Sequence, residues 1–425
     1  MIERILTQEI AAYAGREVRL AGWVHRIREL GAVSFVLLRD RSGVGQLVYQ
    51  GKTDLGNETV IAVRGRVEAN EKAPGGYELH VRETDVLSSA ATDLPVSVNQ
   101  DPDAIGIDAL LDHRLLSLRM PKVRSIFAIQ ATILDAFADY LRGNDFTEIK
   151  SSKLIGSGTE GGTGLFTVDY FGERVYLAQS PQFYKQAMVA SGMERVFEIG
   201  AAYRAEKHDT PRHLNEYVSL DVEMGFISGH EDLMDLEVGL LSHIFSAVAE
   251  RNAGDLAAFG ASVPAAGTLA NIPRIDHDEA KALVSSRGGR KVFEINPEGE
   301  RQLCQWAEET AGVAAVFVSG YPRKKRPFYT YPEGMKTRSF DLLFRGLEIT
   351  TGGQRIHDYA MLLETLPRFG LTEDGLGDYC SIFRYGCPPH GGFAIGLERL
   401  TQQILGLGNV KEASLFPRDR RRVRP

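Results

Sequence analysis

Val18-Arg19-Leu20-Ala21-Gly22-Trp23-Val24 opens the stretch of sequence that decides the fold. Four more short runs follow it, at Ser34 to Leu38, Gly45 to Tyr49, Val60 to Val67 and Tyr77 to Val81. The gaps between them carry residues that turn a chain, such as Ser42-Gly43 and Gly75-Gly76. The pattern predicts five short strands that end by about Val86, and so many strands in so short a segment predict a small closed barrel.

A five-stranded barrel of this kind belongs to the OB type, which commonly holds single-stranded nucleic acid; a plain packing module is the alternative. Beyond it, the polar, proline-containing segment from Ala90 to Lys122 includes a short basic stretch, Asp112-His113-Arg114 through Arg119, and reads as a hinge. Periodic apolar residues from Val123 to Leu141 predict an amphipathic helix. Strands and helices mix after it, which predicts an α+β domain on an antiparallel sheet flanked by helices. The expected division is a barrel over residues 1–92, a hinge over 93–122 and a large domain over 123–425.

A chain of 425 residues exceeds one ordinary core and calls for two or three domains. With 43% hydrophobic and 25% charged residues, the composition is that of a soluble globular protein. No apolar run reaches membrane-spanning length, and Met1-Ile2-Glu3-Arg4 lacks the layout of a signal peptide, so a cytoplasmic location is expected. Cys304, Cys380 and Cys387 are odd in number and form no C-x-x-C pattern, which points away from a zinc site or disulfide framework. The net charge of −7 argues against nucleic acid gripped by the whole surface and leaves local basic patches. Arg26, Arg28, Arg39 and Arg41 form one, and Arg418-Asp419-Arg420-Arg421-Arg422 another, unless the latter is merely a solvated end.

Phe197-Glu198-Ile199-Gly200-Ala201-Ala202-Tyr203-Arg204-Ala205-Glu206, followed by Arg212-His213-Leu214-Asn215-Glu216-Tyr217, resembles the second motif of class II aminoacyl-tRNA synthetases. Gly391-Gly392-Phe393-Ala394-Ile395-Gly396-Leu397-Glu398-Arg399-Leu400 resembles the third. The ordered pair is far more specific than either alone, and the likeness covers nearly the whole chain. Amino-acid activation is attack by a carboxylate, already ionised at neutral pH, on the α-phosphorus of ATP, so alignment and positive charge matter more than a general base. The resemblance implies catalytic roles for Arg204 at the α-phosphate and Arg399 at the γ-phosphate, where a guanidinium fork suits phosphate oxygens. It further implies an ATP site completed by Glu206, Arg212, His213, Leu214, Tyr217, Glu348 and Gly396, with Tyr217 stacking on adenine.

ATP chemistry also uses a divalent cation, and the resemblance implies magnesium held by Asp341 and Glu348, with Thr351 as a further oxygen ligand. A spacing of seven would put the two acids on opposite faces of one straight strand, so a hairpin turning at Arg345-Gly346 is expected.

Gln179-Ser180-Pro181-Gln182-Phe183-Tyr184-Lys185-Gln186 is similar to the amino-acid-binding segment of aspartyl-tRNA synthetases. The implied aspartate site comprises Lys185 and Arg355 at the side-chain carboxylate, Ser180 and Gln182 at the α-groups, together with Arg204 and Thr351. Two cations on one pocket favour a carboxylate over the carboxamide of asparagine, whose amide hydrogens would face them. The glycine-rich stretch from Ser157 to Thr163 resembles a closing loop, with Glu160 offered to the ammonium group. The first class II motif usually has a proline where this chain has Ser152; a two-fold homodimer is still expected.

In the barrel, the likeness implies an anticodon site of His25, Arg28, Phe35, Gln46 and Pro74, with Phe35 stacking on the central base. In this group, enzymes that discriminate strictly have tryptophan in place of His25 and lysine in place of Pro74, so relaxed specificity is expected. Charging of both the aspartate and asparagine tRNAs would require an amidotransferase to convert the misacylated product. The stretch from Ile227 to Gly391 contains no large insertion, which matches the compact, archaeal-like type. The alternatives are a strictly discriminating aspartyl enzyme and a synthetase-derived enzyme that amidates free aspartate; the latter kind lacks the barrel.

Overall fold

The computed structural model describes residues 3–156, 158 and 164–425. The chain divides into two compact units, residues 1–124 and 125–425.

The first unit carries the five expected strands: β1 (Glu17–Leu30), β2 (Val33–Arg39), β3 (Val44–Gln50), β4 (Val60–Ala69) and β5 (Tyr77–Ser88). They close in the order β1-β2-β3-β5-β4, with β3 and β5 parallel. Alternation turns Val18, Leu20, Val24, Val36, Leu38, Leu47, Ile61, Val63 and Leu79 inward to form the core. Closure brings backbones close together. A Cβ on Gly65 would lie 2.1 Å from the His80 carbonyl oxygen, so no larger residue fits there. A bulge between Val24 and Arg26 leaves His25 outside the β1–β2 register and re-aims its side chain.

The second unit is built on a sheet of β6 (Thr147–Glu148), β7 (Arg195–Tyr203), β8 (Glu216–Gly225), β9 (Arg274–Asp276), β10 (Ala315–Ser319), β11 (Ser339–Phe344), β12 (Leu347–Gln354) and β13 (His390–Gly396). Its order is β9-β10-β11-β12-β13-β8-β7-β6, antiparallel except for the outermost pair at each edge. Period-two alternation divides its two faces. Leu220 and Val222, Phe340 and Leu342, and Phe393 and Ile395 pack with the helix Glu231–Arg251 in one apolar core. Ser219 and Asp221, Ser339, and Ala394 and Gly396 alternate with these and line a cavity on the opposite face. The helix Pro121–Arg142 includes the expected amphipathic stretch; Ile126, Ile129, Ile133 and Phe137, spaced by three and four, join the same core.

β11 and β12 form the expected hairpin. Arg345 and Gly346 turn it with φ of 50° and 85°, the left-handed pair that a tight hairpin requires. Asp341 pairs across it with Thr351, and Glu348 with Leu343, with a bulge between Leu342 and Leu343.

Ser152, where the first class II motif usually has a proline, is exposed. Its hydroxyl donates to the Leu154 carbonyl at 2.9 Å and accepts from the Leu154 amide at 3.2 Å, so it secures the local turn by hydrogen bonds.

Candidate active site

A cavity of about 330 Å³ opens on the polar face of the large sheet. Two ends can be followed from their residues.

At one end, the short helix Gln182–Met188 brings Lys185 beneath β8, almost completely buried. Its Nζ lies 2.8 Å from Asp221 Oδ1 and 3.4 Å from Glu223 Oε2, and donates to the Val222 carbonyl at 3.3 Å. Arg355, just past β12, donates from Nε to Glu223 Oε1 at 3.0 Å and from Nη2 to Gln182 Oε1 at 3.2 Å and the Gly392 carbonyl at 3.0 Å. Gln182 Nε2 in turn donates to Glu223 Oε2 at 3.3 Å. Burial pushes the Glu223 carboxyl up, but Arg355 and Lys185 outweigh it and hold the group below its usual range.

Lys185 and Arg355 do converge, yet Asp221 and Glu223 balance them, because two uncompensated buried cations would lose their hydration without return. Sequence reasoning missed both acids. The signal was present in Ser219-Leu220-Asp221-Val222-Glu223, where acids alternate with core aliphatics and so share one face.

At the other end stand Arg204 and Arg399. Arg204 follows β7 and lies 5.6 Å from the centre of the Tyr217 ring. Arg399 sits in the first turn of the helix Leu397–Leu405 and donates from Nη1 to the Glu348 carbonyl at 3.0 Å. Glu206, Arg212, His213, Leu214 and Gly396 line the same space, as do Ser180, Glu348 and Thr351. Arg212 is paired with Glu300 on the helix Pro297–Ala311. His213 accepts or donates at Nδ1 with Thr210 Oγ1 at 2.6 Å, and burial followed by the Arg399 charge lowers its pKa. Beside them Glu398, also missed, takes the Val218 amide on both carboxylate oxygens at 3.1 Å. Its burial pushes its pKa up to about 7.

The acids expected at a metal are arranged unequally. Glu348 and Thr351 line the cavity, and the Thr351 hydroxyl donates to Glu348 Oε1 at 3.1 Å. Asp341 instead forms a 2.8 Å ion pair through Oδ2 with Arg326, and its buried Oδ1 has no hydrogen-bond partner. Two carboxylates and a hydroxyl are hard oxygen donors, and an unpartnered buried carboxylate oxygen suits a divalent cation. Among the described residues no cluster of three or more His, Cys, Asp or Glu forms a denser site. Glu160, with most of the glycine-rich stretch around it, lies outside the described residues.

In the barrel unit, Phe35 stays out of the core and pairs across β1–β2 with the exposed Arg28, while Gln46 pairs with Leu37 on the same outer face. Gln46 Nε2 donates to Glu78 Oε2 at 2.9 Å, and Pro74 is exposed in the turn that leads into β5. Arg39 corrects the expected basic patch: it is 3% exposed and paired with Glu58. The terminal tail is not simply solvated, since the Arg418 carbonyl accepts from the Asn215 amide at 2.8 Å and Asp419 pairs with Lys411 at 2.7 Å.

Arginines at one end of a cleft suit phosphate oxygens, and the charge-balanced pocket at the other suits a small charged molecule. Residues 106–420 match the family described as "tRNA synthetases class II (D, K and N)", and residues 18–87 match "OB-fold nucleic acid binding domain". The chain is 49% identical to the "Aspartate--tRNA(Asp/Asn) ligase" of Thermus thermophilus over 99% of this chain and 100% of that one. It is 47% identical to the protein of the same name from Deinococcus radiodurans, over 100% and 99% of the two chains. Its fold is similar to the asparaginyl-tRNA synthetase from Pyrococcus horikoshii complexed with asparaginyl-adenylate, with a TM-score of 0.91, 31% identity and full coverage of both chains. The chain therefore belongs to the class II tRNA synthetases of the D, K and N group.

Proposed function

We propose that this chain joins aspartate to tRNA through an aspartyl-adenylate, and that it serves both the aspartate and the asparagine tRNA. The convergence of Lys185 and Arg355 on one charge-balanced pocket carries the choice of amino acid. Aspartate brings an ammonium and two carboxylates, and the pocket offers both signs. Asparagine would turn amide hydrogens toward Lys185 and Arg355, leaving donors against donors.

The substrate carboxylate attacks the α-phosphorus of ATP and pyrophosphate leaves. Arg204 aligns the α-phosphate and Arg399 the terminal phosphate, stabilising the charge that moves onto the leaving group. Magnesium, held by Glu348 and Asp341 with Thr351, would neutralise phosphate oxygens. Glu206, Arg212, His213, Leu214, Tyr217 and Gly396 seat the nucleotide; Ser180 and Gln182 seat the amino acid, with Glu160 closing over its ammonium.

The outer face of the barrel, with Arg28, Phe35 and Gln46, receives the anticodon, and the names of the two 47–49% identical relatives support the double tRNA specificity. Aspartyl-tRNA of the asparagine type would pass to an amidotransferase. The enzyme is a homodimer of the cytoplasm in this reading; no helix among the described residues is long and apolar enough to cross a membrane.

Aspartate-dependent exchange of pyrophosphate into ATP tests the activation step, and separate charging of the two tRNAs tests the second. Absence of exchange refutes the enzyme reading. Charging of the aspartate tRNA alone refutes the double specificity.

A further inference from the structure

His390, the first residue of β13, is wholly buried and is tied to both sides of the pocket. Its main-chain carbonyl accepts the Arg355 amide at 2.8 Å. Its ring Nε2 lies 2.8 Å from Nε2 of Gln186, the residue that follows Lys185 on the helix Gln182–Met188. Gln186 is wholly buried too, and its Oε1 accepts from the hydroxyl of Tyr379, on the helix Gly377–Arg384, at 3.1 Å. The Tyr379 ring stacks on Phe183 of the Lys185 helix, with the ring centres 4.2 Å apart. Seven residues make a helix too short to be stable alone, so contacts of this kind must hold it in place.

One carbonyl fixes the direction of every bond in this chain. His390 Nδ1 lies 2.9 Å from the Pro388 carbonyl, which can only accept, so Nδ1 carries a proton. The Cys387 sulfur, 3.4 Å from Nδ1, is a weak second partner on the same side. Burial drives the ring pKa down to about 4 against the pull of Glu223, so the ring holds one proton and Nε2 is a bare acceptor. Gln186 must then turn its amide nitrogen to the ring and its oxygen to Tyr379, whose phenol is kept protonated by burial and donates. The chain runs one way, from the Tyr379 hydroxyl to the Pro388 carbonyl. Reversing a link would set two donors or two acceptors face to face.

We propose that His390 is a positioning residue for aspartate: its ring holds the helix that presents Lys185, its carbonyl holds the backbone that presents Arg355, and together they set the gap the side-chain carboxylate must span. The proposal rests on the reading of that pocket as the aspartate site. Glu223 joins the two cations charge to charge, and His390 joins the two stretches of backbone that carry them.

Aspartate-dependent exchange of pyrophosphate into ATP reads the role. His390→Asn puts an amide nitrogen where Nδ1 stands and keeps the bond to Pro388, but offers Gln186 no acceptor. It should raise the KM for aspartate about tenfold, as when a buried group is left unpaired, with kcat and the KM for ATP within about twofold. His390→Gln, whose amide oxygen reaches the place of Nε2, should recover most of the loss. Tyr379→Phe removes one hydroxyl, keeps the ring stack and should raise the same KM about threefold. An unchanged KM for aspartate in His390→Asn, or one that rises together with the KM for ATP, overturns the role, as does equal loss in the Asn and Gln variants. Should His390→Asn not fold, Tyr379→Phe decides by the same measure. Nitrogen NMR of the full chain labelled with ¹⁵N-histidine, with the His390 signal assigned by its loss in His390→Gln, should show a protonated Nδ1 and a bare Nε2; the reverse overturns the proposal. If the unsubstituted chain gives no exchange with aspartate, the reading of the pocket falls, while the tautomer still tells whether the strut exists, so the two failures are told apart.

Discussion

Lys185 and Arg355 approach the same carboxylate from two sides: the Lys185 ammonium lies 3.4 Å from Glu223 Oε2, and the Arg355 Nε 3.0 Å from Glu223 Oε1. Glu223 thereby holds both cations in one fixed arrangement.

Removing one cation leaves acids buried without their partner. Lys185→Met should lower kcat/KM for aspartate by about 3 kcal/mol, roughly a hundredfold, and should not make asparagine a substrate. Pyrophosphate exchange with each amino acid measures both effects. Asparagine exchange rising to the aspartate level would refute the role of Lys185.

Arg399 is aimed by its bond to the Glu348 carbonyl. Arg399→Ala should reduce kcat for exchange by about a hundredfold or more, the usual loss when a fixed donor to developing charge is removed. Isothermal titration with aspartate should show its affinity little changed. Equal losses in both would place Arg399 in the architecture instead of the chemistry.

Glu237 gives a pH signature to stability. It is fully buried in the helix Glu231–Arg251, and burial, which the neighbouring Thr350 hydroxyl only partly offsets, raises its pKa from 4.5 to about 8. The folded pKa lies above the unfolded one. The folded state therefore holds a proton that the unfolded chain releases, and stability is lost as pH rises from 4.5 toward 8. Glu237→Gln, which mimics the protonated form, should change Tm little at acidic pH and raise it by a few degrees above pH 8. Thermal denaturation of both proteins across this range checks the sign; a variant less stable at high pH contradicts it.

Specificity for tRNA should respond at two exposed or half-exposed barrel positions. His25→Trp or Pro74→Lys should restore preference for the aspartate tRNA by about tenfold, as added contacts select one base. Charging assays with both tRNAs decide it, and an unchanged ratio in both variants would move specificity elsewhere in the barrel.

The barrel was legible because its information is local: Val18, Leu20 and Val24 alternate inward, and turns fall where glycine and serine stand. The hairpin at Arg345-Gly346 was legible for the same reason, since the requirement it meets lies within eleven residues. Arg39 was misread because its partner Glu58 lies 19 positions away and only barrel closure brings them together. The balance at Lys185 was hidden similarly, its acids standing on another strand 36 and 38 positions further on (221 − 185 and 223 − 185). Resemblance and residue type singled out the candidate groups. Distance in sequence concealed which groups restrain them.

The alternation of β8 ties two properties of the molecule to one geometric choice. A slip of a single residue would present Leu220 and Val222 to Lys185 and Arg355 and thrust Asp221 and Glu223 against the helix Glu231–Arg251. Such a chain would bury unpaired charge in its apolar core and would not reach this fold. The register that builds the apolar core thus builds the charged pocket as well.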